Sequence, residues 1–303
     1  MGPTGSGKTD LAAAIAATLP LEIVSVDAAM VYRGMDIGTA KPSRELLARA
    51  PHHLIDLIDP AERYSAARFL ADAKRAMGEI STRGRTPILV GGTMLYFRAF
   101  QSGLARLPAA DARIRLELDA RAARAGWPAL HAELARLDPA AAARIRPGDR
   151  QRIQRALEVI ELTGAPISAQ QREDLRGAAS SADLCLVLAP EDRAALHGRL
   201  ESRFQEMLRR GLLDEVRALR ARGDLGADLP SMRLIGYRQL WEHLEGRANL
   251  ESAAEKAVIA TRQLARRQLT WLRAEPRAEW FDALDPGTPE RVAARIDRWR
   301  RGQ

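Results

Sequence analysis

The sequence predicts an α/β chain: a P-loop doubly wound parallel sheet interrupted by an all-helical insertion. Three observations predict it. Gly2-Pro3-Thr4-Gly5-Ser6-Gly7-Lys8-Thr9 fills every constrained position of the phosphate-loop pattern G-x-x-x-x-G-K-[ST]. Short apolar runs then alternate with helical periodicity, as they do when helices cross over between parallel strands. From about residue 111 to 164 the strands stop and only helical patterns remain.

Each element has a local reason. The loop glycines let backbone N–H groups converge on phosphate oxygens. Lys8 adds a point charge, and the Thr9 hydroxyl is the expected protein ligand of a Mg²⁺ ion. A helix beginning near Gly7 and carrying Leu11, Ile15 and Leu19 points its positive end at the same anion. Such a loop normally follows a buried strand. Here Met1 immediately precedes Gly2, so the first strand is expected to be missing, through a late gene start or a shortened chain. The same residues match the myristoylation pattern M-G-x-x-x-[ST], but Pro3 stiffens the segment and phosphate binding uses it better.

Residues 21–26 read as a strand ending at Asp27, followed by a loop through Gly34, Gly38 and Pro42. A short strand is expected at 53–57. Ser65 caps a helix running to about 82, with Gly84 just past its end. Residues 87–90 read as a buried strand, then Gly91-Gly92-Thr93 and a helix over 94–100. Helices at 111–125, 127–137 and 149–163, separated by Gly126, Pro139, Pro147 and Gly148, make the insertion. A strand returns at 184–188, followed by helices at 191–210, 212–222, 231–244 and 251–273. A strand at 280–281 and a helix from about 289 close the chain. The expected division is a first core segment (1–110), a helical insertion (111–180) and a second core segment (181–303).

Composition excludes several classes. With 303 residues and 46% apolar content, the chain can bury one large core or two modest ones. No apolar run approaches the ~20 residues that span a bilayer. Cys185 is the only cysteine, which excludes internal disulfides and multi-cysteine zinc sites and suits a reducing cytoplasm. The net charge of +8 invites a polyanionic partner. Arginine supplies nearly all of it, beside only Lys8, Lys41, Lys74 and Lys256. Abundant arginine and alanine also suit a GC-rich genome, so charge alone leaves nucleic acid undecided.

The chemistry lies in few residues. Triphosphate hydrolases place a magnesium-binding Asp at the end of an apolar strand, whereas residues 88–90 here lead into Gly91-Gly92-Thr93. The carboxylate instead ends the other early strand, as Asp27. A group at a strand's carboxyl end faces the ligand crevice of an α/β sheet. Asp27 is therefore either a general base or a cap of the next turn. His52 and His53 point apart in a strand and read as structural. In the helix at 251–273, Arg262, Arg266 and Arg273 fall on one face, a stripe suited to phosphates, and Arg267 falls elsewhere.

Six segments together resemble tRNA dimethylallyltransferase, in its bacterial form since no zinc-finger extension follows. They are the loop 2–9, the run 25–42 through Asp27, Gly34 and Lys41, His52-His53 within 51–56, Gly91-Gly92-Thr93 within 90–96, and the segments 228–239 and 260–268. The resemblance covers essentially the whole chain. It implies transfer of a dimethylallyl group from dimethylallyl diphosphate to N6 of the adenosine beside the anticodon of tRNA. The loop would then grip a leaving diphosphate, with Mg²⁺ held through Thr9. Catalysis would rest on Asp27 as base and on Thr9 and Arg203 at the leaving group; sequence alone reads Arg203 as a solvated flank of its helix.

By the same resemblance, Asp27, Ala28, Ala29, Met30 and Thr93 would contact the target nucleotide. Further tRNA contacts would come from Arg115, from Gln151, Arg152, Ile153, Gln154 and Arg155, and from Met232, Arg233, Leu234, Ile235, Gly236 and Tyr237. A last group is Arg266, Arg267, Gln268, Leu269, Thr270, Trp271, Leu272 and Arg273. A cytoplasmic monomer with no membrane partner is expected. The rival readings are a small-molecule P-loop kinase, an adenylate isopentenyltransferase acting on free nucleotide, and a non-catalytic RNA-binding switch.

Overall fold

Six successive buried residues, Leu21–Val26, form β1, the central strand of a three-stranded parallel sheet. The computed structural model describes residues 1–105, 107–174 and 184–302. It has two compact units, Met1–Phe97 with Ala182–Gln303, and Arg98–Ser181. The second unit thus begins earlier than the expected border at 111, and the expected border at 180 lies outside the described residues. Both are built from short parallel strands or helices, a mixed α/β fold with many helices. Among the described residues no helix is long and apolar enough to cross a membrane.

In the first unit β1 is flanked by β2 (His52–His53) and β3 (Thr86–Gly91), with Leu21 opposite Thr86 and Val26 opposite Gly91. Its side chains alternate between two covered faces, which is why all but Glu22 and Ser25 are apolar. Leu21 and Ile23 share a core with Ala12, Ala13 and Ile15 of α1 (Lys8–Ala16) and Val292 and Ile296 of the last helix. Val24 and Val26 pack with Phe69, Ala73 and Ile80 of α3 (Ala66–Thr82) and with Tyr96 and Phe97 of α4 (Met94–Ser102). Glu22 is the one charge in β1. It is buried but bonded to Arg83 at 2.7 Å and His53 at 2.7 Å, and the Arg83 bonds hold its carboxyl below the usual range. A helix α2 (Arg44–Arg49), capped by Ser43, lies where the sequence reads as loop.

A second pair, β4 (Leu186–Ala189) and β5 (Glu279–Asp282), is also parallel. The amino group of Met1 donates to the carbonyl of Leu186, and the carbonyl of Met1 accepts from the N–H of Leu188. Around the sheets run α10 (Arg193–Arg209), α11 (Leu212–Ala221), α12 (Tyr237–Leu244), α13 (Leu250–Arg273) and α14 (Thr288–Arg301). Met35, Ile58, Leu212, Val216, Met232, Tyr237, Leu240 and Ala257 join in their common core.

Three expectations need correction. The strand at 53–57 stops after His53 because Leu54 (φ 65°) and Asp56 (φ 56°) are left-handed, which no strand tolerates. The strand at 87–90 is half-buried rather than buried, since β3 is the edge of its sheet. The helix expected from 231 begins only at Tyr237: Gly236 (φ 90°) breaks it, and residues 231–235 form turns.

The second unit contains α5 (Ala112–Ala125), α6 (Trp127–Leu137), α7 (Pro139–Ala142), α8 (Arg150–Thr163) and α9 (Ile167–Asp174), packed around Leu118, Leu134, Ile153 and Leu157. Asp111 and Asp149 cap α5 and α8, and left-handed Gly164 ends α8. Glu158 is fully buried and therefore needs partners. It takes them from Arg115 at 2.7 Å, from Arg155, and from the N–H of Asp111.

Candidate active site

The loop, the end of β1 and the end of β3 converge on one cleft of about 1290 Å³, wholly within the first unit. Gly5 (φ 80°) and Gly7 (φ 81°) are left-handed, so only glycine turns the backbone there without strain. Gly7 caps α1 and offers no side chain to its first N–H groups, which leaves that helix end available to an anion. Thr4, Gly5, Gly7, Lys8 and Thr9 line the cleft. Gly2, Pro3 and Ser6 are buried beneath it.

Lys8 donates to the carbonyl of Pro3 at 3.2 Å. Burial lowers its ammonium to about 8, with nearby Arg203 pushing the same way and Asp27 opposing. Arg203 is half-buried and lines the cleft, not a solvated flank. Burial lowers its guanidinium from the usual value, while the charges of Asp27 and Asp10 hold it up. Lys8 and Arg203 therefore both feel the charge of Asp27 across the cleft, and Arg203 that of Asp10 as well.

Asp27 follows β1 directly. Its Oδ1 accepts from the N–H of Ala29 at 2.8 Å, so the carboxylate does cap the next turn, and it also faces the cleft. The N–H of Ala28 donates to Thr93 Oγ1 at 3.0 Å, and the N–H of Thr93 returns to the carbonyl of Val26 at 3.1 Å. These bonds tie the ends of β1 and β3 into one rim. Gly91 makes the approach possible, since a Cβ there would stand 2.0 Å from the carbonyl oxygen of Val26. Ala28, Ala29, Met30 and Thr93 line the cleft beside Asp27.

Gln268 has a role that sequence reasoning did not find. Its Oε1 accepts from the N–H of Thr4 at 2.9 Å and its Nε2 donates to the carbonyl of Gly92 at 2.8 Å. The side chain is buried at the cleft wall and braces the phosphate loop against the rim. Gln268→Glu keeps the acceptor but points a carboxylate oxygen at the Gly92 carbonyl. We expect it to lower stability by about 1–3 kcal/mol and to weaken diphosphate binding, measured by thermal melting and by inhibition with pyrophosphate.

Glu215 was also not found. Its carboxylate accepts from the N–H groups of Asp36, Ile37 and Gly38 and from the Tyr237 hydroxyl at 2.6 Å. Lys41, nearly buried, donates to the carbonyl of Tyr32 and to the carboxylates of Asp36 and Asp56. Together they lock residues 36–41, of which Gly38, Thr39, Ala40 and Lys41 line the cleft. No local pattern marks Glu215, because its backbone partners lie 177 to 179 residues earlier and Tyr237 lies 22 residues later.

The remaining expected contacts divide. Arg233, Leu234 and Ile235 line the cleft; Met232 and Tyr237 are fully buried beneath, and Gly236 does not line it. On α13 the cleft face is Thr261, Leu264, Arg267, Gln268 and Trp271. The arginine stripe read from spacing is not that face. Arg262 pairs with Glu201 at 2.8 Å, Arg266 is exposed away from the cleft lining, and Arg273 borders a separate small hollow beside Arg193 and Trp280. Thr270 is exposed, while Leu269 and Leu272 are buried. In the second unit Ile153 is core. Arg115 and Arg155 hold Glu158, Gln154 bonds Asp119 at 2.9 Å, and Gln151 and Arg152 are exposed. His53 bonds Glu22, and His52 donates from Nδ1 to the carbonyl of Ala50, as the structural reading expects.

A model of the IPP transferase family matches residues 30–275. A tRNA dimethylallyltransferase of Bordetella petrii is 58% identical over 297 residues, covering 97% of this chain and 95% of that protein. One from Cupriavidus taiwanensis is 57% identical, covering 94% and 90%. Among solved structures, the tRNA isopentenylpyrophosphate transferase of Bacillus halodurans superposes with a TM-score of 0.71 at 37% identity, over 98% of this chain and 94% of that one. A eukaryotic dimethylallyltransferase acting on tRNA gives a TM-score of 0.83 at 25% identity, over all of this chain and 78% of that one. The chain belongs to the IPP transferase family, the family of the tRNA dimethylallyltransferases.

Proposed function

We propose that the chain transfers a dimethylallyl group from dimethylallyl diphosphate to N6 of the adenosine beside the anticodon of tRNA, releasing diphosphate. The observation that carries this reading is the meeting of Lys8, Thr9 and Arg203 with Asp27 on one cleft. The bond between the allylic carbon and the diphosphate oxygen breaks, and its electron pair leaves on oxygen. A bond forms from N6 to that carbon, and the N6 proton passes to the Asp27 carboxylate. Adenine N6 is a weak nucleophile because its lone pair is delocalised into the ring, so removing the proton as the bond forms prevents positive charge from building there. The loop N–H groups, Lys8 and Arg203 stabilise the departing charge. The loop is thus read as a P-loop that grips a leaving group.

Magnesium suits this donor set. Among the described residues no three histidine, cysteine or acidic side chains converge on a metal position. The protein's share would be the Thr9 hydroxyl, with phosphate oxygens and water completing the shell, the arrangement Mg²⁺ prefers. When bound, the ion neutralises charge on the diphosphate.

Arg210, Arg233 and Arg267 line the same cleft and are the side chains we assign to RNA phosphates. A target base stacked in the anticodon loop must be turned out to reach Asp27, at a cost of about a few kcal/mol. We read the enzyme as cytoplasmic and monomeric.

The test is incubation with dimethylallyl diphosphate and unmodified tRNA, followed by mass analysis of the digested nucleosides. Adenosine gaining one five-carbon unit is expected. ATP consumption without an isoprenoid donor would favour a kinase instead, and prenylation of free AMP alone would favour a nucleotide transferase.

A further inference from the structure

We propose that Arg199 is a second guanidinium ligand of the diphosphate, a role that rests on the transfer reading above. Arg199 lies four residues before Arg203 on α10, so the two share one helix face, and both line the cleft. The adjoining face seats this helix on the phosphate loop: Leu200 Cδ2 would stand 2.6 Å from a Cβ on Gly5, and Leu196 Cδ1 3.5 Å from it. Arg199 is carried to the mouth of the loop by that contact. Its Nη2 lies 3.5 Å from where a Cβ on Gly7 would be, at the N-terminus of α1.

This guanidinium has no protein partner among the described residues. Among the described residues Arg199 makes no ion pair and no side-chain hydrogen bond, although Glu201 on the same helix is taken by Arg262. It is exposed, and it stands where the first N–H groups of α1 and Lys8 also point positive charge. Three like charges gather at one loop, and Asp10 and Asp27 are the carboxylates lining the same cleft. An anion with several oxygens satisfies all three, and a planar guanidinium can hold two of them at once. Arg203, which feels the charge of Asp27, is assigned the phosphate next to the reacting carbon, and Arg199, at the loop end, the one farther from it.

The experiment compares wild type, Arg199→Gln and Arg199→Lys in steady-state transfer and in inhibition by inorganic pyrophosphate. Arg199→Gln is expected to raise the KM for dimethylallyl diphosphate about tenfold and to weaken pyrophosphate inhibition by a similar factor. Its KM for tRNA and its melting temperature should stay at wild-type values, since the residue is exposed on a helix that tolerates either replacement. Arg199→Lys should fall between the two, because it restores charge but not the planar fork. An active wild type with Arg199→Gln unchanged in both diphosphate readouts overturns this role alone. A rise confined to the KM for tRNA overturns it as well. A wild type that attaches no five-carbon unit to tRNA instead removes the transfer reading beneath it.

Discussion

Asp27→Ala is expected to lower turnover by about 10²–10⁴-fold, the range general-base removal reaches, while tRNA affinity stays within a few-fold. The carboxylate does two things at once. Oδ1 is held by the N–H of Ala29 at 2.8 Å, which fixes the turn carrying Ala28 to the Thr93 hydroxyl. The side chain also faces the cleft, where the proposed reaction has it take the proton of N6. Alanine removes both, so a low rate alone does not separate chemistry from the shape of the rim. Asp27→Asn does. Its side-chain oxygen still accepts from Ala29, but the amide takes no proton at neutral pH. Equal losses in the two variants, measured in single turnover with saturating tRNA, assign proton acceptance to Asp27. An asparagine variant close to wild type would leave Asp27 as a turn-former only.

What could be read in the sequence depended on how local each constraint is. The phosphate loop was legible because every fixed position answers to a backbone or charge requirement within eight residues. β1 was legible because burial on both faces makes all but two of its residues apolar, and Asp27 stands where that run ends. Gln268 was not. Its two bonds reach Thr4 and Gly92, and a glutamine inside a helix signals nothing until those partners arrive. The phase of α13 was missed for a related reason. Its buried face is carried largely by Ala253, Ala254, Ala257 and Ala265, and alanine is too weakly hydrophobic to mark a core stripe. Arginine spacing grouped Arg262, Arg266 and Arg273, whereas Arg267, named only through the resemblance, is the one that lines the cleft. In the helical unit the pairing of Arg115 and Arg155 with buried Glu158 was hidden because acidic residues are common on solvated helix faces too. The early end of β2 and the late start of α12 both come from left-handed backbone, at Leu54, Asp56 and Gly236. Only the glycine advertises that possibility.

Arg203→Gln should lower kcat by about 10²–10³-fold, the cost of removing one preorganised charge from a developing anion, and it should also move the pH profile. In the wild-type protein burial lowers Lys8 to about 8, and the charge of Arg203 contributes to that lowering. As pH rises through this value Lys8 loses its proton in the free enzyme and binds diphosphate less well. The kcat/KM for dimethylallyl diphosphate should therefore fall above pH about 8. Taking away the neighbouring cation makes the ammonium form of Lys8 easier to keep. The alkaline limb of Arg203→Gln then lies at higher pH than that of wild type, on a much lower plateau. A simple loss of folding lowers the plateau but leaves the limb where it was, so the displacement is what ties the two residues to one anion. An alkaline limb that does not move between wild type and variant means that Lys8 and Arg203 do not act on the same group, and the leaving diphosphate is then not held between them.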